Sequence, residues 1–368
     1  MDEQAEFQAK LQTLRVWLAE QGLDGIILNS QTNFAWITGG GHNHVSLGES
    51  PGVASLLVTS GRQCLLTNNI EVGRILEEEV KGLPVEPITW TWHEADQGKD
   101  QVARLCDLSR TVSDVGAYGL PEPPSSFAEL RYTMLPVEQE RYRLLGRDAA
   151  EAVENTCRSV QAGDSELDVA ARLGYESQKL GILPLVNLVA GDERIAQFRH
   201  PLPTEKRFSK TLMVVLTGRR QGLHISLTRM VSFGQPDSDL ERRHLAVGAV
   251  DARFNLESRA GVSLAEVFQK GTDQYTSEGF PQEWDLHHQG GLTGYAGREI
   301  FGTASSQYRL KNGQVVTWNP SITGTKSEDT VLLTEAGPEV LTRTGAWPEF
   351  EVELPVGHWL RPAILVRD

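Results

Sequence analysis

The C-terminal half of the chain is predicted to carry two helix pairs, in which three helices are located from the sequence, and each pair is followed by two strand-like runs. Helical periodicity predicts helices over 137–160 and 165–180, and Ser263 with Glu266 forms a capping box that opens another helix. The strand-like runs are 210–218, 222–233, 313–322 and 328–334. Helices and strands in this order bury their apolar faces when the helices cover one side of antiparallel sheets. We therefore predict an α+β layer fold for this half.

The N-terminal part alternates short helical and strand-like segments. The helical segments are 3–22, 70–80 and 99–107, and the strand-like segments are 23–30, 33–40 and a hairpin over 55–67. No glycine-rich phosphate loop occurs at a strand-to-helix junction, so nucleotide binding has no support. Pro and Ser are dense at 120–127, which is typical of a linker. We predict an α/β domain over 1–126, a linker over 127–136 and the α+β domain over 137–368.

Composition narrows the class of protein. At 368 residues, with 39% hydrophobic and 23% charged residues, two globular domains are expected. The net charge of −14 argues against nucleic acid or an anionic membrane as a partner. The three cysteines are far apart and predict neither a disulfide framework nor a Cys-based zinc site. With no signal peptide and no apolar run long enough to span a bilayer, we predict a cytoplasmic protein.

Several short motifs occur in a fixed order along the C-terminal half. They are Gln197–Pro201, Leu216–Gly218, Gly222–Arg229, His288–Gly291, Trp318–Pro320 and Ser327–Thr330. Together they resemble the motifs of the creatinase, prolidase and aminopeptidase P family, and Leu23–Gly25 with Trp36–Gly39 resembles its N-terminal domain. The resemblance covers about the whole chain. It implies a pita-bread peptidase domain preceded by a creatinase-type domain, a peptide or small-molecule ligand, and a homodimer.

The resemblance also locates the positions at which these peptidases hold two divalent cations with two Asp, one His and two Glu. Here those positions read Leu216, Ser226, His288, Asn319 and Glu328. Leucine has no ligand atom, serine and asparagine are neutral, and a shift of one residue would place an equally inert valine at the first position. Two adjacent dications need bridging carboxylates. We therefore predict a degenerate metal site, with only His288 and Glu328 retained, and no cofactor.

The resemblance supplies the remaining candidate site residues. We assign catalytic roles to His200, His288 and Glu328, and ligand binding to His224, Tyr295, Arg298 and Asn319. Tyr295 and Arg298 lie in Gly294–Glu299, which resembles a Tyr-Gly-Arg-Glu stretch of creatinase. The neighbouring His287 is expected to face away from His288 if the segment is extended.

Three functions remain open on these residues. The first is a cleft that binds a peptide or small C–N compound without conventional metallopeptidase activity. The second is a metal-independent, creatinase-like hydrolase or lyase that uses His200 as acid and base. The third is a metallopeptidase with one Mn, Zn or Co ion on a rebuilt site of His200, His224, His288 and Glu328. Whether the chain is an enzyme at all is therefore left open, and any activity is expected to be hydrolytic.

Overall fold

The computed structural model describes residues 3–48, 51–94 and 96–368. The chain divides into two compact units. The N-terminal unit reaches Arg131 and also includes Gln221–Leu223, and the C-terminal unit comprises Tyr132–Arg220 and His224–Asp368. In the described ranges no helix combines the length and apolarity that crossing a bilayer requires.

The N-terminal unit is built on one five-stranded mixed sheet with strand order β4-β3-β2-β1-β5. Its elements are α1 (Glu3–Gln21), β1 (Gly25–Ser30), α2 (Gln31–Thr38), β2 (Pro51–Thr59), β3 (Gln63–Asn68), α3 (Val72–Arg74) continued by a π-helical turn (Ile75–Glu79), β4 (Glu86–Trp90), α4 (Asp96–Leu105) and β5 (Thr111–Ser113). β2 and β3 pair antiparallel, so the predicted hairpin is confirmed.

The segment predicted as a second strand is helix α2, so that prediction was wrong. Ser30 caps the helix by accepting a hydrogen bond from the backbone N–H of Asn33, and Gly39 ends it in the left-handed region at φ 77°. Residues 33–38 are all buried. A short apolar run that is buried on every side has no periodicity to separate strand from helix, and here the flanking caps decide it.

The C-terminal unit contains the longer helices and two larger sheets. Its elements are α5 (Pro136–Ser159), α6 (Glu166–Gln178), β6 (Leu183–Gly191), α7 (Glu193–Gln197), β7 (Thr211–Arg220), β8 (Leu223–Phe233), α8 (Ser238–Glu257), α9 (Leu264–Ser277), β9 (Gly290–Thr293), β10 (Ile300–Phe301), β11 (Val315–Trp318), β12 (Ser321–Ile322), β13 (Thr325–Lys326), β14 (Asp329–Thr334), β15 (Gly337–Val340), β16 (Glu349–Leu354), β17 (Gly357–Pro362) and β18 (Leu365–Arg367). Helix α8, absent from the sequence-based prediction, completes the second helix pair.

The two larger sheets of this unit have strand orders β18-β8-β7-β6 and β10-β9-β11-β14-β15. They meet where β8 and β14 run side by side. The backbone N–H of Thr228 on β8 donates to the carbonyl of Glu328, and the N–H of Ser226 donates to the Thr330 hydroxyl on β14. The pleat of β8 therefore presents alternate side chains toward the start of β14, and this junction forms one wall of the candidate site.

A buried charge network ties the hairpin of β16 and β17 to this junction. The guanidinium of Arg361 on β17 lies 2.6 Å from Asp251 of α8 and 2.6 Å from Asp329 of β14. Arg229 on β8 reaches Asp329 at 3.0 Å. All four side chains are buried. Because each charge has an opposite partner and hydrogen bonds, the desolvation penalty of burying them is offset.

Candidate active site

A cavity of about 200 Å³ in the C-terminal unit gathers most of the residues singled out from the sequence. His200, Ser226, His288, Arg298, Asn319 and Glu328 all line it. The remaining lining residues are Val186, Leu188, Val215, Thr217, Gly297 and Lys326. Residues from distant parts of the chain thus meet in one cleft, as the motif order implied.

The residue predicted for the first of the five metal-ligand positions does not reach the cavity. Leu216 is fully buried and does not line the cleft, whereas Val215 and Thr217 on either side of it do. Successive side chains of a strand point to opposite faces, so Leu216 on β7 faces away from the cavity. Of the two neighbours that line the cavity, Val215 supplies no ligand atom and Thr217 supplies a neutral hydroxyl.

The second and fourth positions carry neutral side chains. The Ser226 hydroxyl lies 2.9 Å from the hydroxyl of Thr217, and these two groups satisfy each other. Asn319 is only 3% exposed, and its side-chain oxygen Oδ1 has no hydrogen-bond partner. A buried carbonyl oxygen without a donor costs about 1–3 kcal/mol, so a ligand N–H that reached it would relieve that cost.

The carboxylate retained at the fifth position is paired with a lysine. Lys326 Nζ lies 2.8 Å from Glu328 Oε2, and both side chains are almost completely buried, at 5% and 3% exposure. The Thr228 hydroxyl donates to the same oxygen at 2.7 Å. Burial alone would raise the pKa of Glu328, but the Lys326 ammonium, the Thr228 hydrogen bond and the charge of Arg298 hold that pKa below its ordinary value.

Lys326 was missed in the sequence, although a signal for it exists. It lies two residues before Glu328 at the end of β13, in the extended connection to β14. A spacing of two in extended chain places both side chains on the same face. A lysine at that spacing from a ligand carboxylate predicts an ion pair in the cleft, and an ammonium beside the carboxylate opposes a metal there.

Arg298 adds a second cation to the lining. It is half-buried, it donates to the carbonyl of Gly297 at 2.8 Å, and burial lowers its pKa without removing its charge at neutral pH. The charged groups that line the cavity are then Lys326 and Arg298 against Glu328. Their sum is one net positive charge, the opposite sign to a cradle for two dications.

Three histidines converge at one side of the cavity. His200 Nε2 lies 2.8 Å from His287 Nε2, and the rings of His287 and His288 lie 4.2 Å apart. The expectation that His287 faces away from its neighbour was wrong. Strand β9 begins only at Gly290 and a 3₁₀ turn ends at Leu286, so the alternation of a continuous strand does not apply between them.

The surroundings of all three imidazoles lower their pKa values and so favour the neutral form. Desolvation and the charge of Lys326 lower the pKa of His200 and take that of His287 to about 2. Desolvation and the charge of Arg298 lower the pKa of His288 to about 4, although the residue is exposed. Each ring therefore offers an unprotonated nitrogen, which proton abstraction and metal coordination both require.

Two predicted ligand-binding residues lie elsewhere. Tyr295 is fully buried and donates its hydroxyl proton to Glu138 Oε1 at 2.6 Å, so its hydroxyl serves the core rather than a ligand. His224 is also buried and is not one of the residues that line the cavity. Its backbone N–H donates to Gly294 and its carbonyl accepts from Tyr142. The four-residue metal site that included His224 is consequently not assembled.

A second cavity of about 300 Å³ adjoins the histidines. His288 lines both cavities, and the walls of the second include the aromatic side chains Phe268, Trp284 and Phe301. An apolar chamber beside a charged cleft is the arrangement expected for a ligand with one ionic and one apolar end.

The lining does not fit a pair of divalent cations. A dinuclear centre requires several anionic oxygens close together, and the residues of this cleft provide one carboxylate, which already neutralises Lys326. Two dications added here would also meet the like charges of Lys326 and Arg298.

Known proteins of the same architecture identify the fold. An uncharacterized peptidase of Staphylococcus haemolyticus is 25% identical over 78% of this chain and 87% of its own length. The structure of an Xaa-Pro dipeptidase from Bacillus anthracis superimposes with a TM-score of 0.78 at 20% identity, covering 98% of this chain and 100% of its own. A prolidase from Pyrococcus horikoshii gives 0.76 at 17% identity, over 91% and 98%. The predicted pita-bread domain and creatinase-type N-terminal domain are thereby confirmed.

Family models match both parts of the chain. Residues 10–116 match the creatinase/prolidase N-terminal domain, and residues 140–335 match metallopeptidase family M24. The second match covers more than half of the chain and contains every residue that lines the cleft. The chain belongs to metallopeptidase family M24 and carries the creatinase/prolidase N-terminal domain.

Proposed function

We propose that this protein is a member of the peptidase family whose cleft binds a carboxylate-bearing peptide or small C–N compound without the two-metal centre of a conventional metallopeptidase. The observation that carries the proposal is the buried ion pair of Lys326 and Glu328 at 2.8 Å. An ammonium already neutralises the carboxylate that a metal would need. The fold and the cavity are those of the family, whereas the cavity lining carries a net positive charge instead of the negative charge that two dications require.

The charge of the cleft supports a carboxylate as the recognised group. An ammonium has three N–H donors, and the hydrogen bond to Glu328 uses one of them. Arg298 supplies a planar guanidinium, whose Nε has no partner, on the same lining. The net positive charge of the lining favours an anionic group over a cationic one.

The neutral groups of the cleft support an amide or amine next to that carboxylate. The Oδ1 atom of Asn319 needs a donor, and a peptide N–H or an amino group provides one. The aromatic cavity beyond His288 offers space for an apolar side chain or ring. A short peptide with a free C-terminus combines these three features.

Calorimetric binding of the dipeptide Ala-Pro and of its C-terminal amide to chelator-treated protein tests the proposal. We expect Ala-Pro to bind at least about tenfold more tightly than the amide, because the amide lacks the charge that pairs with Lys326; a difference of that size corresponds to about 1.4 kcal/mol. In Lys326→Gln the preference should disappear. In the exposed control Lys270→Gln it should persist.

The metal content of the purified protein provides a second test of the proposal. If the protein purifies with two Mn, Co or Zn ions per chain and cleaves Ala-Pro with their help, the proposal is wrong. Equal affinity for the acid and the amide, or binding that Lys326→Gln leaves unchanged, would likewise reject the carboxylate as the recognised group.

The position of His200 favours metal-independent acid–base chemistry as a second candidate function. His200 lies in the cleft, is neutral, and is held by His287 at 2.8 Å. Such an imidazole can take up a proton from an attacking water and typically contributes ~10²–10⁴-fold to a rate. Turnover of a small amide in the presence of chelator that is lost in His200→Ala would establish this function, and its absence would leave a binding protein.

A further inference from the structure

We propose that His200, His287 and His288 form a site for one divalent transition-metal ion, displaced from the positions at which the family holds its metal pair. Among residues 3–48, 51–94 and 96–368, these histidines are the one group of three or more potential ligands close enough to share an ion. Each contributes one ring nitrogen, and the three nitrogens lie within 4.8 Å of one another.

The geometry needs little change to accept an ion. In tetrahedral coordination with zinc–nitrogen distances of about 2.0–2.1 Å, neighbouring ligand nitrogens are separated by roughly 3.3 Å. His200 and His287 now lie 2.8 Å apart at Nε2, so these two rings would open by about half an ångström. The third ring packs against both, with centroids 5.8 Å from His200 and 4.2 Å from His287. The His288 nitrogen, which lies within 4.8 Å of the other two, would approach them by up to about 1.5 Å, and rotation of these partly exposed side chains can supply that movement.

The donor set selects the kind of ion. Three imidazoles and no carboxylate suit zinc, copper, nickel or cobalt, whereas magnesium and calcium require oxygen ligands. Zinc with three protein ligands keeps its fourth position open. Glu328 is committed to Lys326, so the ion would keep most of its charge and would attract an anion.

The cations of the cleft set a condition on this site. Lys326 and Arg298 line the same cavity as His200 and His288, and their charges weaken the binding of a metal ion. An anion that lies between them and the ion removes that repulsion. Metal and carboxylate should therefore bind with positive cooperativity, each raising the affinity for the other by the same factor.

Zinc titration of untagged, chelator-treated protein tests the site. We expect one zinc per chain, and we expect acetate to raise the zinc affinity. His287→Ala should lower the affinity by about 100-fold or more, since loss of outer-shell partners alone costs 10–100-fold. His358→Ala, which removes an exposed histidine of the same unit, should have no effect.

Two further measurements separate this site from the alternatives. Glu328→Gln removes no ligand and only frees the charge of Lys326, so it should weaken zinc binding less than His287→Ala does. If it abolishes binding while His287→Ala does not, the ion lies at the family's position and the inference is wrong. In the wild type, zinc should protect His200 and His288 from diethyl pyrocarbonate but leave His358 reactive, so the site can be tested even if a variant fails to fold. Absence of zinc binding, or equal modification with and without zinc, would overturn the inference. The carboxylate test above uses metal-free protein, so the two proposals fail separately.

Discussion

Replacing Lys326 by methionine should destabilise the C-terminal unit strongly, because it leaves the Glu328 carboxylate buried without its ammonium. At 2.8 Å and an effective dielectric constant of about 20, the attraction between the two charges is about 6 kcal/mol. Part of this offsets desolvation of the pair, and removal of one partner of a buried pair typically costs about 3–5 kcal/mol. We expect a loss of that size in the free energy of unfolding, measured by urea titration at pH 8.

The pH dependence of the same variant gives a sharper test. In the wild type the pKa of Glu328 is lowered, so its contribution to stability is present above the unfolded pKa of about 4.3 and is lost as the pH falls through the folded pKa. Without Lys326 the desolvation of Glu328 dominates and raises its folded pKa above the unfolded value. Lys326→Met should therefore gain stability relative to the wild type as the pH falls from 8 to 5.

A second substitution completes the cycle. Glu328→Gln removes the uncompensated charge, so Lys326→Met/Glu328→Gln should regain at least about 2 kcal/mol relative to Lys326→Met alone. Lys270→Met, at an exposed position, should change stability by less than about 0.5 kcal/mol. A Lys326→Met protein within about 1 kcal/mol of the wild type, or a double variant no better than the single one, would refute the assignment of the pair as a buried, mutually dependent unit.

Three further outcomes are expected. Gly302→Ala should lower the free energy of unfolding by about 1–3 kcal/mol, because a Cβ at this position would lie 2.6 Å from the Trp318 ring. Gly174→Ala should raise the free energy of unfolding by about 0.5–1 kcal/mol, because a Cβ there meets no atom within 4 Å. Thermal unfolding measures both changes. Burial lowers the pKa of His244 to about 4, below the unfolded value of about 6.5. The buried neutral imidazole therefore contributes about 3 kcal/mol to stability above pH 6.5, and this contribution is lost as the pH falls to 4. In urea titrations across that pH range, His244→Gln should not show this loss of stability. Arg361→Met should cost about 3–5 kcal/mol in the same assay at pH 7, because it leaves buried Asp251 without its cationic partner and Asp329 with Arg229 alone. A loss below about 1 kcal/mol would contradict this.

Motif order was the strongest predictor of the fold. Each motif is short, but their sequence of glycines, histidines and acidic residues fixes which strands must meet, and the structure places His200, His288, Arg298, Asn319 and Glu328 around one cavity. Helix α8 was missed because its buried face is made largely of alanine, valine and glycine, whose periodicity is weak.

The side chains that line the site were harder to predict than its location in the fold. Leu216 was assigned to the cleft from motif spacing, but its side chain lies on the opposite face of β7. Successive residues of a strand point to opposite faces, so an error of one residue in register places the wrong side chain in the cleft. Tyr295 matched a family stretch, but its hydroxyl is used by Glu138. Lys326 lies outside the five ligand positions, so those positions indicate which carboxylates are lost and not that a cation has been introduced beside Glu328.

The network around Arg361 also bears on the order in which the protein assembles during synthesis. Strand β18 pairs in parallel with β8, joining Leu365 to Val231, and Arg361 joins the same late segment to Asp251. Asp251 therefore lacks its arginine partner until this segment has been synthesised, whereas Asp329 can already pair with Arg229. Pairings between such distant parts of a chain form slowly. The four-stranded sheet of the C-terminal unit is therefore complete only when this late segment is available, whereas the main sheet of the N-terminal unit is made of residues that are synthesised earlier.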